Sequence, residues 1–293
     1  MLDYFTHKFD PNQITLVMTI LVKNEADIIE ANIKTHNSLG VDAFVIMDNG
    51  STDGTREILS NLKDEFEITI VDDSGYYQQK KFMTKLAFLA KKIYKPNWII
   101  NNDADEFWIP NKSGSLKEYL NFKGGVLRVD RFNMIPPLES VERENIFFDS
   151  IYEVSNQINY RVAKREDISV LLGQASRKVI TNPYGLIKIN SGNHSAEHIA
   201  FWNKKYSKDI KNYHYPIRSY KQFEKRVITR KEVLENFPNV KMGNHYRVLV
   251  SKYNRGELKE EYRKFIFKQN EIELLKKIGV VSENRIPFET IIR

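Results

Sequence analysis

The chain of 293 residues contains no cysteine, so disulfides, thiolate metal sites and cysteine catalysis are all excluded. No segment approaches 18 uninterrupted apolar residues, and no membrane-spanning helix is expected. The start, Met1-Leu2-Asp3-Tyr4-Phe5, has no basic region followed by an apolar one, so no signal peptide is expected. A cytoplasmic location is the default expectation, with the inner face of a membrane as a surface to meet. Internal repeats and low-complexity segments are absent. No G-x-G-x-x-G follows the first apolar run and no Walker lysine loop occurs, which argues against dinucleotide and P-loop enzymes.

What is present is the composition of a globular protein: 41% apolar, 12% aromatic and 28% charged residues, enough chain for one large or two modest domains. The net charge of +7 is unevenly spread. Residues 1–203 hold 23 Lys and Arg against 27 Asp and Glu, whereas residues 204–277 hold 20 against 9. A basic C-terminal third on an acidic body points to an anionic partner: nucleic acid, a phosphorylated small molecule or an anionic membrane surface. Lysine-rich solvated helix faces are the plain alternative.

The run Ile14–Val22 is almost continuously apolar, as in a strand buried on both faces of a parallel sheet. A helix is expected from Glu25 to Leu39, a strand over Ala43–Met47, a helix from the Asp48–Gly54 turn to about Leu62, and a strand over Glu67–Val71. A further helix over 79–94 carries Phe82, Leu86, Leu89 and Ile93 on one stripe, and a strand follows over Asn97–Asn101. Strand and helix alternate over the first 110 residues, which predicts a three-layer α/β fold with a mostly parallel central sheet. Beyond residue 111 come short strands at 125–130, 177–181 and 186–189, then helices at 220–236 and 257–278. The division expected is a body over 1–219 and a helical, basic C-terminal extension over 220–293.

Asp103-Ala104-Asp105-Glu106 places three carboxylates in four positions just after an apolar run. Such a cluster repels itself, and a hard divalent cation is the simplest way to tolerate it. The plain alternative is an acidic turn that caps a following helix. Lys23-Asn24-Glu25, Asp48 to Asp53 and Asp103 to Glu106 all fall at strand carboxyl ends, where ligands of parallel sheets bind.

Lys23-Asn24-Glu25, Asp48-Asn49-Gly50-Ser51-x-Asp53-Gly54-Thr55 and Asp103-Ala104-Asp105-Glu106-Phe107 together resemble the glycosyltransferase family 2 group, which has the GT-A fold. His214-Tyr215-Pro216-x-Arg218-Ser219, Gln222-Phe223-x-Lys225 and Gly243-x-His245-x-Arg247 resemble one bacterial branch of it. The Gln-x-x-Arg-Trp block of processive members is absent, which argues against a polymer-extruding synthase.

The resemblance implies a nucleotide-sugar donor, with Mn²⁺ or Mg²⁺ stabilising the departing diphosphate. Asp105 would hold the metal, and Asp103 would approach the ribose or a metal-bound water. Asp48 would accept from the base, which fits UDP or dTDP donors and leaves guanine open; its alternative, and that of Asp53, is helix capping. Glu25 either supports the ligand or begins its helix, and Lys23 lies in the same block. Glu106 is read as supporting the ligand residues or as a helix-side cap.

Candidates for a metal-binding histidine are His194 and His214, each of which could instead be structural. Arg218, Lys225 and Arg247 could neutralise the diphosphate or be ordinary basic surface. An inverting mechanism needs a general base. Glu197 and Asp167 are the candidates, with Asp130, Glu142 and Glu144 open alternatives. The expected acceptor is a glycan or lipid-linked glycan in surface polysaccharide synthesis, with an anionic membrane as a further partner of the basic region; nucleic acid is not expected as a partner. Two other classes compete: a sugar nucleotidyltransferase, which usually carries a Gly-rich loop where this chain has Lys23-Asn24-Glu25-Ala26, and a non-catalytic nucleic-acid or membrane binder.

Overall fold

The apolar run near the start becomes strand β1 (Leu16–Val22), with all seven residues buried. A strand buried on both faces needs strand neighbours at its edges and helices above and below. Strands β2 (Ala43–Asp48) and β4 (Trp98–Asp103) flank it in parallel, with Val22 opposite Asp48 and Leu21 opposite Asp103. Strand β3 (Ile68–Asp72) continues the parallel sheet beyond β2. The computed structural model describes residues 3–73, 75, 78–139, 150–159, 168–237 and 244–292.

After a short α1 (Asp3–Thr6), the crossovers are made by α2 (Ile29–Ser38), α3 (Thr55–Leu62) and α4 (Gln79–Tyr94). The stripe Phe82, Met83, Leu86, Ala87 and Ala90 of α4 packs in one core with Val17, Val45, Met47 and Ile99 of the sheet. Each fully buried large apolar side chain there contributes about 1.5–3 kcal/mol.

The sheet continues with β5 (Glu106–Pro110), β6 (Val126–Asn133), β8 (Lys178–Thr181) and β11 (Lys204–His214), in the order β3-β2-β1-β4-β8-β6-β11-β5. The α/β fold with a parallel sheet is therefore found over β3-β2-β1-β4, and β8 joins it antiparallel to both β4 and β6. Strand β11 was not expected, because its eleven residues carry four lysines and bury only alternate stretches. A separate two-stranded ribbon pairs β9 (Leu186–Ile189) with β10 (Ala196–His198).

The acidic turn does not begin a helix. Only Ala104 and Asp105 separate β4 from β5, so Glu106 is the first residue of a strand and the helix-cap reading is corrected. The reason lies underneath the turn. Asn32 Nδ2 donates to the carbonyls of Ala104 and Glu106 (2.9 Å each), and Asn102 Nδ2 donates to the Glu106 carbonyl at 3.2 Å. These buried amides satisfy backbone groups that a helix would otherwise pair internally.

The chain divides into two compact units: Met1–Arg131 with Ser176–Tyr213 and Thr290–Arg293, and Phe132–Ala175 with His214–Glu289. The second unit holds the helical tail together with residues 132–175 from the middle of the chain. Its core gathers Phe223 and Val227 of α5 (Tyr220–Asn236), Val250 of α6 (Asn244–Asn254), Leu258 and Tyr262 of α7 (Leu258–Arg263), and Ile272 of α8 (Gln269–Lys277). Ser219 caps α5 by accepting from Gln222 N at 3.1 Å. A short pair, β7 (Tyr152–Glu153) with β12 (Ser282–Glu283), and α9 (Ile286–Thr290) complete the elements.

The single helix expected over 257–278 is broken into α7 and α8. Lys268 is extended, with ψ 155°, because Phe267 bridges to Pro137 and its carbonyl accepts from Leu138 N at 2.9 Å. Tertiary pairing there outcompetes helix propensity. No helix among the described residues is long and apolar enough to cross a membrane.

Candidate active site

Strand order reverses across β1, with β2 on one side and β4 on the other, so the carboxyl ends of these strands open a crevice at a topological switch point. Asn24 follows β1 in the left-handed region (φ 59°), which asparagine tolerates better than other non-glycine residues. Its Oδ1 accepts from Thr52 N at 2.8 Å, and its own N–H donates to Ser51 Oγ at 2.9 Å. The loop after β1 is thereby stitched to the loop after β2. Lys23 and Glu25 flank Asn24, both half-buried, and Glu25 N donates to Thr55 Oγ1 at 2.9 Å.

Asp48 ends β2 with only 4% of its surface exposed. Its Oδ1 accepts from Ser51 N (2.9 Å) and Ser51 Oγ (2.6 Å), a local turn bond that fixes the carboxylate's direction. Asp53 Oδ2 accepts from Ala26 N at 3.3 Å and its Oδ1 from Thr55 N at 3.1 Å, so Asp53 ties the two loops together. Gly54 between them has φ 94°, a conformation that needs glycine.

The acidic turn carries its own cations. Asp103 Oδ2 accepts from Lys178 Nζ at 2.5 Å, and the same ammonium lies 2.8 Å from Glu106 Oε1. Lys178 and Glu106 are both fully buried. Arg131 Nη1 also donates to Glu106 Oε1 (3.1 Å), and Asn212 Nδ2 reaches Oε2 at 3.4 Å. Asp103 Oδ1 accepts from Gln79 Nε2 and from Asn193 Nδ2, both at 3.1 Å. Repulsion among the three carboxylates is therefore relieved from within at Asp103 and Glu106. Asp105, at the tip of the turn, is 8% exposed.

His194 stands beside this cluster. Burial, together with the charges of Lys178 and Arg131, lowers its imidazole to about 4, with Asp103 opposing. The ring is neutral at neutral pH, and Nδ1 lies 3.1 Å from the carbonyl of Arg177, so Nδ1 carries the hydrogen and Nε2 the lone pair. His198 differs: Nε2 bonds the Tyr184 carbonyl at 2.8 Å and Nδ1 accepts from Ala200 N at 3.0 Å, so it is a structural residue.

His214 belongs to the second unit, where its Nδ1 bonds Asn133 Oδ1 at 2.8 Å. Arg218, Lys225 and Arg247 are in the same unit; Arg218 is buried, with Nη1 on the Tyr215 carbonyl at 3.5 Å, and Arg247 is exposed on α6. Gly243 lies outside the described residues, as do Asp167, Glu142 and Glu144. Strand alternation in β10 sends Glu197 to the outer face, where it pairs with Lys188 Nζ at 2.6 Å. Asp130 accepts from Arg177 Nε at 2.7 Å and from the Tyr206 hydroxyl. None of these placements singles out a general base.

Sequence reading missed Lys178, Gln79, Asn193 and Arg131, all in contact with the acidic turn. Lys178 had a usable signal, being the one charge within the apolar strand Lys178-Val-Ile-Thr181 of a buried sheet. Gln79 and Asn193 had none, because only the fold brings them to Asp103.

No group of three His, Asp or Glu able to hold a metal by itself occurs among the described residues. The donor set nonetheless fits a divalent cation that also takes oxygens from a bound diphosphate, since Mg²⁺ sites commonly use one or two carboxylates plus substrate phosphates. The lone pair of His194 Nε2 and the buried Asn193 Oδ1, which has no hydrogen-bond partner, are donors beside the turn that carries Asp105.

The parallel half-sheet, with Asn24, Asp48 and a carboxylate turn at its switch point, is an α/β fold with a crevice placed to take a ligand. The chain belongs to glycosyl transferase family 2, whose family model matches residues 18–167. It is a glycosyltransferase. No curated protein matches the sequence. Among solved structures, TarS 1-349 of S. aureus is 11% identical with a TM-score of 0.39, over 81% of this chain and 69% of that one. The same protein in complex with UDP-GlcNAc is 10% identical with a TM-score of 0.41, over 81% and 70%. Glucosyl-3-phosphoglycerate synthase from Mycobacterium tuberculosis, in complex with Mn2+, UDP and glucosyl-3-phosphoglycerate, is 15% identical with a TM-score of 0.33, over 59% and 58%.

Proposed function

We propose that this glycosyltransferase moves a sugar from a UDP- or dTDP-sugar, with inversion, to a glycan or lipid-linked glycan acceptor in surface polysaccharide synthesis. The observation that carries the reading is the turn at 103–106. It closes β4 at the switch-point crevice, and its Asp103 and Glu106 charges are already met by Lys178 and Arg131. Asp105, at the tip of the same turn, is the carboxylate we assign to the cation.

Each residue then has a task. Asp48, aimed by Ser51, accepts the single ring N–H that uracil or thymine offers. Asn24 and Asp53 hold the loops of the crevice in register. Asp103, clamped by Gln79, Asn193 and Lys178, faces the ribose or a metal-bound water. Asp105 and His194 would hold Mn²⁺ or Mg²⁺, which when bound supplies Lewis-acid stabilisation to the departing diphosphate. The basic residues of 204–277 suit an anionic membrane surface, where a lipid-linked acceptor resides.

The experiment is a thermal-shift and calorimetric screen of UDP, dTDP, GDP and their sugars with and without Mn²⁺. Metal-dependent stabilisation by a uridine or thymidine diphosphate is expected. Stabilisation by GDP alone would refute the base assignment, and no response to any of them would refute the donor reading.

A further inference from the structure

Residues 200–203 form a tight turn between β10 and β11, closed by Asn203 N donating to the Ala200 carbonyl at 3.0 Å. Its two central positions are Phe201 and Trp202, which are 68% and 63% exposed. Turn centres ordinarily hold Gly, Pro, Asn, Asp or Ser, so two large aromatics there are not explained by turn geometry. They are not needed by the core either. The base of the turn is already closed by Gly125 N donating to Asn203 O (3.1 Å), and by Asn203 Nδ2 donating to the Lys123 carbonyl (3.0 Å) and to Tyr4 Oη (3.2 Å). Tyr4 packs beneath, edge-on to His198 at 5.2 Å, and Phe5, 59% exposed, lies edge-on to Tyr4 at 5.4 Å.

Around the tip the charge is of one sign. Lys204 and Lys205 follow Asn203 at the end of the turn, and Lys123 lies alongside; all three are exposed. Lys123 Nζ stands 5.5 Å from the Tyr4 ring and Lys205 Nζ 3.9 Å from the Phe122 ring. The one carboxylate of α1, Asp3, is paired with Lys91.

From this tip we infer that the first unit docks on an anionic lipid bilayer, with Phe201 and Trp202 entering the interfacial region and Lys123, Lys204 and Lys205 meeting the headgroups. An indole, with an apolar body and a polar N–H, prefers that depth, a phenyl ring beside it adds apolar area, and nearby lysines add attraction to anionic lipid. A sugar-binding platform fits less well. The two rings stand at 82° to one another, so they offer no common flat face, and the flanking groups are ammoniums rather than the carboxylates and amides that grip hydroxyls. This surface lies outside the donor crevice. It deepens the acceptor reading, since a lipid-linked acceptor would share the bilayer, but it rests on the turn alone.

Tryptophan fluorescence tests it directly, because Trp98 and Trp108 are fully buried and Trp202 is the solvent-exposed one of the three. The full chain is mixed with phosphatidylcholine vesicles, with and without phosphatidylglycerol, and followed by flotation and emission. Binding to the anionic vesicles with a blue shift is expected, quenched by brominated lipid. The double variant Phe201→Ser/Trp202→Ser should lose at least about tenfold in partitioning, and Lys204→Glu/Lys205→Glu should lose binding while Trp202 stays in place. Sugar-nucleotide turnover in solution should be unchanged in both.

Three results would overturn the inference: no partitioning of the wild type, partitioning unaltered in Phe201→Ser/Trp202→Ser, or binding without a Trp202 shift, which would assign contact to the basic tail. A raised KM for a soluble glycan acceptor in the aromatic variant would reassign the tip to sugar recognition. Loss of turnover in the wild type would bear on the donor reading and leave the vesicle result standing.

Discussion

Replacing Lys178 by methionine isolates the electrostatics of the acidic turn. The ammonium is fully buried and touches two carboxylates, Asp103 at 2.5 Å and Glu106 at 2.8 Å. Methionine fills nearly the same volume, so no large cavity opens and the change is one of charge. Removing one partner of a buried ion pair leaves the other uncompensated and costs about 3–5 kcal/mol. Unfolding entropy of about 2.1 cal/mol/K per residue gives about 0.6 kcal/mol/K over 293 residues, so Tm should fall by about 5–8 °C. Adding Glu106→Gln returns the cluster to one anion, Asp103, and one cation, Arg131, while keeping an acceptor for Arg131, and should restore about 1–2 kcal/mol. The assay is thermal unfolding by circular dichroism for wild type, each single variant and the double. A Lys178→Met protein melting within about 1 °C of wild type, or a double variant no better than the single, would falsify the idea that this lysine neutralises the turn.

Three other outcomes follow from the same geometry. His36 is fully buried, with Nδ1 on the Asn32 carbonyl (2.8 Å) and Nε2 accepting from Trp108 N (3.0 Å), and burial pushes its imidazole down to about 4. The unfolded chain takes up that proton near 6.5 and the folded chain only near 4, so stability should drop across that window as pH falls, by about 3 kcal/mol. A denaturation midpoint flat between pH 7 and 4 would contradict it. Asp105→Asn should lower turnover by at least about a thousandfold, on the scale of a lost electrostatic stabiliser, while shifting Tm little; near-normal turnover removes Asp105 from the metal site. His194→Ala should move the Mn²⁺ activation curve to higher concentration, with His214→Ala as the paired comparison. An unaltered metal titration in His194→Ala would end its candidacy.

Much of the first unit is legible because its signals are local. A run buried on both faces reads as unbroken apolar sequence, and the α4 stripe repeats at helical spacing, so β1 and α4 lie where periodicity places them. Asn24, Asp48 and the 103–106 turn stand at strand ends, and strand ends are readable. The second half of the sheet is not readable in this way. Strand β11 pairs through backbone groups while its side chains are mostly polar, so its hydrophobic period is faint. The break between α7 and α8 comes from Phe267 bridging to Pro137, a contact 130 residues away in sequence.

The sequence by itself determined that three polar clusters would sit at the carboxyl ends of parallel strands, because alternating strand and helix leaves little freedom in where those ends emerge. It also carried the carboxylate turn and the family it belongs to. Only tertiary structure decided how that turn is charged. Lys178 reaches Asp103 from 75 residues away and Glu106 from 72, and Gln79 and Asn193 arrive from two further elements. Electrostatic neutralisation depends on distance in space, which no spacing along the chain encodes. The cluster whose sequence called for an external cation has Asp103 and Glu106 met by Lys178 and Arg131 from within the fold.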